Sequence, residues 1–136
     1  MEQLSRKVIF PKLSQIIDVN RRMIEMSGGL FNEPTNFNNR NSLEYILSVI
    51  RNPIISIGHD TGLDVKAVSL GYTIIRAHVF CDGNKRTGSH MTWEFLQANK
   101  INLVLDTSIE EISLAIAKGE ASKEAYLKWV RAHIEE

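Results

Sequence analysis

Little in this sequence points to disulfides, membranes or polyanions. Cys81 is the only cysteine, which excludes an intrachain disulfide and a cysteine-based zinc site. Sixteen basic residues are balanced by sixteen acidic ones, so the formal net charge is zero. A chain with no excess of positive charge is poorly suited to broad binding of nucleic acid or anionic membrane. No apolar run approaches the length that spans a bilayer, and Met1-Glu2-Gln3 lacks the basic-then-apolar layout of a secretory leader. The expectation is a cytoplasmic protein. Repeats and low-complexity tracts are also missing. A length of 136 residues with 43% hydrophobic content then fits one globular domain, residues 1–136, built on a single core.

Proline is scarce as well, and its three positions punctuate the pattern. Pro11 suits a first helical position, after which Leu13, Ile16, Ile17, Asn20, Met23 and Ile24 keep helical spacing until Gly28-Gly29. Pro34 lies in a polar, asparagine-rich stretch over 30–40, expected as an irregular loop or small hairpin. Pro53 follows a helix carrying Leu43, Ile46, Leu47 and Ile50, with Asn41 and Glu44 read as its N-cap pair. Residues 54–63 read as a loop in which His59 and Asp60 are solvated. From Asp64 to Ala77 the only polar positions after Asp64 are Lys66, Ser69, Thr73 and Arg76, one narrow stripe on an otherwise apolar helix. A helix of that kind is central and buried. Further helices are expected from Gly83 to about Ala98, from a Ser108–Glu111 capping box to Gly119, and from a Ser122 cap through Ile134. Ile101 to Leu105 reads as a strand or an extended linker. The fold class is all-α, with about six helices and a loop or small hairpin near residues 28–40.

The densest chemistry is His78-Val79-Phe80-Cys81-Asp82-Gly83-Asn84-Lys85-Arg86-Thr87-Gly88, set between two apolar helical patterns. Gly83 and Asn84 fall where the second helix begins, and free N–H groups there plus the helix dipole make an anion site. Lys85 and Arg86 in a first turn oppose that dipole unless an anion, most plausibly a polyphosphate, lies between. Asp82 is placed to hold a magnesium ion bridging such a polyphosphate. His78 can take a proton from an attacking hydroxyl. Phe80 reads as the apolar anchor of the loop, Cys81 as filler, and His90 as a partly buried structural residue. Taken singly each of these has an ordinary explanation as cap, turn or solvated charge. Their conjunction marks the segment as the active site.

His-x-Phe-x-Asp-Gly-Asn-Lys-Arg-Thr, from His78 to Thr87, resembles the signature of the Fic/Doc family, and within it the Doc (death-on-curing) branch of toxin–antitoxin toxins. The Fic pattern proper has Pro, Gly and Arg where this chain has Val79, Lys85 and Ser89, and all three departures lean towards Doc. Gly28-Gly29-Leu30 and Gly119-Glu120 are similar to Doc proteins too. The resemblance implies a toxin acting as a kinase, which moves the γ-phosphate of ATP to a Ser or Thr hydroxyl of a target protein and so arrests translation. By resemblance that target is elongation factor Tu. The catalytic set it implies is His78, Asp82, Asn84 and Arg86, with Gly83, Asn84, Lys85 and Arg86 as the phosphate cradle and Asp82 holding Mg2+. Asn84 would orient the phosphate or the target backbone, and the 30–40 loop would be the flap that aligns the target. No Ser/Thr-x-x-x-Glu-Gly/Asn inhibitory motif is present, so the resemblance implies a separate antitoxin that docks by a helix. Alternatives are transfer of AMP instead of phosphate, an inactive interaction module, and a helix-turn-helix DNA reader over Gly62–Ser69.

Overall fold

The computed structural model describes residues 7–52 and 62–135. His59 and Asp60 lie outside these residues. Six helices occur among those described: α1 (Leu13–Ser27), α2 (Arg40–Arg51), α3 (Leu63–Arg76), α4 (Asn84–Ala98), α5 (Ser108–Ala117) and α6 (Lys123–Ala132). β1 (Asn102–Leu103) and β2 (Ile134–Glu135) form a small antiparallel pair in the register Asn102↔Glu135 and Leu103↔Ile134. The all-α expectation holds. No helix among the described residues is long and apolar enough to cross a membrane.

The core explains why α3 is the axis of the bundle. Val65, Ala67, Val68, Ser69, Leu70, Gly71, Ile74 and Ile75 are all buried in it, and α2, α4, α5 and α6 pack around it. Of the polar stripe that a DNA-reading helix would present, Ser69 is buried, Lys66 and Thr73 are half-buried, and Arg76 alone is exposed. The closest approach is to α4, where two glycines meet. A Cβ on Gly71 would lie 2.7 Å from the Gly88 carbonyl oxygen, and one on Gly88 would lie 2.7 Å from the Gly71 carbonyl oxygen. The two helices touch backbone to backbone, which fixes the end of α3 and the start of α4 against each other. Ile16, Val19 and Ile24 bring α1 onto the same core.

Several boundaries differ from the sequence expectations. Pro11 precedes α1, whose N-cap is Lys12, with the Lys12 N–H donating to Gln15 Oε1 at 3.2 Å. The N-cap of α2 is Asn39, not Asn41, and its Oδ1 accepts from the Ser42 N–H at 3.3 Å. The Ser108–Glu111 capping box does not form. Instead Asp106 Oδ1 accepts the Ser108 N–H at 2.8 Å, and Thr107 is the cap position. Ile134 belongs to β2 rather than the last helix. Gly119 (φ 76) follows the end of α5, and the Ser122 hydroxyl caps α6 through the Ala125 N–H at 3.1 Å, both as expected.

Candidate active site

α3 runs into the motif and α4 leads out of it. At the end of α3 the Val79 N–H reaches back to the Ile74 carbonyl at 3.3 Å, a closure that requires a left-handed residue between them. That residue is His78, at φ 51. Placing a side chain there costs about 1 kcal/mol, and it leaves the imidazole exposed at the end of the central helix. His78 Nδ1 lies 3.2 Å from the Ile75 carbonyl oxygen. A carbonyl only accepts, so the hydrogen-bond network assigns the neutral ring's proton to Nδ1 and leaves the lone pair on Nε2. This is the form a general base needs.

The loop from Phe80 to Asn84 is closed by one amide. Asn84 Oδ1 accepts the Phe80 N–H at 2.9 Å and Asn84 Nδ2 donates to the Phe80 carbonyl at 2.8 Å. The amide expected to orient a phosphate or a target is thus directed into the loop itself. Phe80 is buried, and its ring stacks on Phe37 with centroids 5.2 Å apart and planes 10° apart. Gly83 (φ 78) makes the left-handed turn into α4, and no side chain caps that helix. The first-turn N–H groups of Asn84, Lys85 and Arg86 are left without intrahelical partners, as at any helix start. Lys85 and Arg86 are exposed. Asp82 is also exposed, with Oδ1 accepting the Gly83 N–H at 2.8 Å.

The asparagine-rich stretch is built into this site. It does not pair with itself as a hairpin; its one bridge is antiparallel, Phe37↔Phe80. The Asn38 and Asn39 N–H groups donate to the Val79 carbonyl at 2.8 and 2.9 Å, and the Cys81 N–H donates to the Asn36 carbonyl at 2.8 Å. Beneath it, fully buried Asn20 of α1 donates through Nδ2 to the Asp82 carbonyl at 2.9 Å and to Thr87 Oγ1 at 3.0 Å. Its Oδ1 accepts from Asn36 Nδ2 at 2.9 Å. Asn20, Asn36 and Thr87 were not singled out from the sequence as site residues. The available signal was one polar residue, Asn20, within the apolar face of α1.

A groove of about 580 Å³ continues from the helix start. Lys85, Arg86, Ser89 and His90 line its α4 side, and α5 supplies Ile109, Glu110, Ser113 and Leu114, with Leu105 and Met23 at the margins. His90 is partly buried, as expected, and its Nε2 lies 2.9 Å from Glu94 Oε1. For a divalent metal the donor set is sparse. No group of three or more His, Cys, Asp or Glu side chains suited to a metal occurs among the described residues. One exposed carboxylate beside an uncapped helix start does fit magnesium, which takes one or two carboxylates and completes its shell with phosphate oxygens and water. Asp82 would hold it.

No curated protein matches this chain. The model of the Fic/DOC family matches residues 10–96, more than half of the chain, and this span takes in α1, the asparagine-rich segment, the central helix and the whole motif. Members of that family are transferases that move AMP or phosphate, generally with ATP and a divalent metal. With six helices among the described residues, four of them packed on α3, and the motif at the α3–α4 junction, the chain belongs to the Fic/DOC family.

Proposed function

We propose that this protein is a Doc-type kinase that transfers the γ-phosphate of ATP to a Ser or Thr hydroxyl of a target protein. The observation that carries the reading is the way α4's uncapped start runs into a groove. Cationic Lys85 and Arg86 sit in the first turn beside the uncapped N–H groups and line, with Ser89 and His90 one turn on, a groove walled by Ile109 and Leu114. A terminal phosphate suits the cationic helix start, and a nucleoside suits the apolar wall. In the kinase reading the γ-phosphate lies towards the helix start, on the side of His78.

The chemistry follows from the residues. The target hydroxyl oxygen bonds to the γ-phosphorus, its proton passes to His78 Nε2, and the bond from phosphorus to the β–γ bridging oxygen breaks to release ADP. Arg86, Lys85 and the helix N–H groups hold charge as it shifts onto the leaving oxygen. Magnesium, when bound at Asp82, supplies neutralisation of the phosphate charge. Asn84 serves by holding the loop that carries Asp82 and Gly83. Resemblance to Doc toxins supports a translation factor, elongation factor Tu, as target, and a separate antitoxin that docks by a helix. The second reading is AMP transfer. It uses the same base and cradle with the nucleotide reversed, and the retained Gly83-Asn84 and Arg86 are common to both reactions.

Induction of the gene is expected to arrest growth. His78→Ala should relieve the arrest without unfolding the protein, because the side chain is exposed; loss of a general base slows the step by about 10²–10⁴. Undiminished toxicity of a folded His78→Ala variant removes His78 from the mechanism.

A further inference from the structure

The two glycines that follow α1 do different work. Gly28 is the left-handed cap, at φ 84, and its N–H donates to the Ile24 carbonyl at 2.9 Å. A Cβ added there would meet nothing within 4 Å, so Gly28 answers a demand of the backbone. Gly29 does not have a left-handed φ. A Cβ added there would lie 2.6 Å from Asp82 Oδ2 and 3.6 Å from its Cγ. What glycine supplies at position 29 is room for one carboxylate oxygen.

The other parts of Asp82 are already fixed. Its Oδ1 is held by the Gly83 N–H at 2.8 Å, and its carbonyl is held by buried Asn20 at 2.9 Å. The backbone cannot retreat from a new methyl group, whereas the exposed carboxylate can rotate away from it. We infer that Gly29 is a positioning residue for Asp82: the bare backbone at 29 lets the carboxylate lie with Oδ1 on the Gly83 N–H and Oδ2 against Gly29, the aim in which it meets the metal. This rests on the assignment of Asp82 as the metal-holding group under the kinase reading. Gly29→Ala should therefore re-aim the carboxylate at little cost to the fold.

The test measures binding of manganese(II) by electron paramagnetic resonance, in the presence of a non-hydrolysable ATP analogue, alongside melting temperature. Gly29→Ala should weaken the apparent ion affinity about tenfold or more, the usual scale for disturbing a ligand's support, with melting unchanged. Gly28→Ala should do the reverse, melting several degrees lower with ion affinity as in the parent. Asp82→Asn provides the reference loss. If Gly29→Ala binds the ion as the parent does, or melts as low as Gly28→Ala, the positioning role is overturned while Asp82 keeps its assignment. If Asp82→Asn binds as the parent does, the metal assignment itself fails and takes this inference with it.

Discussion

At the scale of single residues, the site is held by amides as much as by charges. Asn20 bonds to three partners from the motif and the flap, the Asp82 carbonyl, Thr87 Oγ1 and Asn36 Nδ2, and is itself fully buried. Asn20→Leu would leave the buried Thr87 hydroxyl and Asn36 amide, and the Asp82 carbonyl, short of a partner. The expected cost is about 2–4 kcal/mol, measurable as a lower denaturant midpoint; an unchanged midpoint would mean that the motif and flap are held without it. The motif was legible in the sequence because imidazole, carboxylate, amide and cations crowd into one short stretch that no core would tolerate unused. Asn20 and Asn36 were not, since an asparagine declares neither its depth nor its partners. Asn39 and Asn41 are equally plausible caps in the sequence for the same reason, and the structure uses Asn39. Its N–H and side chain are drawn to Val79 and Ala77, contacts from about forty residues away that periodicity does not register.

At the scale of elements, the angle between the helices at the motif is set by the Gly71–Gly88 contact. Gly71→Ala would drive a methyl group into the Gly88 carbonyl and the Thr92 hydroxyl of α4, and neither backbone can give way without moving the site. We expect a loss of about 1–3 kcal/mol together with reduced transferase activity; a variant that melts like the parent would show that α3 and α4 are free to separate. Helical periodicity located all six helices, and the near-complete apolar circumference of α3 identified it as central. It could not foresee Ile134 leaving the last helix, because the pull comes from β1, where Leu103 pairs with it. The flap segment likewise reads as a loop until Phe37 finds Phe80, a partner with no local signature.

At the scale of the whole molecule, two titrating contacts tie the C-terminal helices to the rest. The Tyr126 hydroxyl donates to Thr92 Oγ1 at 2.8 Å, and Thr92 donates to the Gly88 carbonyl at 2.9 Å. Burial pushes the Tyr126 phenol up to about 12 from 10.0, outweighing the Thr92 hydrogen bond. Because the folded value is raised, this contribution to stability is complete below pH 10 and is lost as pH rises towards 12. Alkaline unfolding of the parent should therefore steepen over that interval, and Tyr126→Phe should flatten it. Equal alkaline profiles would remove Tyr126 as the cause. At the other end of the pH scale, hydrogen bonds from Ser108 and the contact with His133 hold the Asp106 carboxyl below its usual 3.8. Its contribution is present above that value and is lost on acidification. These contacts hold α6 against α4 and against the turn before α5, beside the groove whose occupant defines the reaction. The direct measurement incubates the protein, magnesium and a translation-competent lysate with ATP labelled at either the α or the γ phosphate. Label from the γ position on a translation factor, absent with His78→Ala, is the predicted result; label from the α position would contradict it and establish AMP transfer.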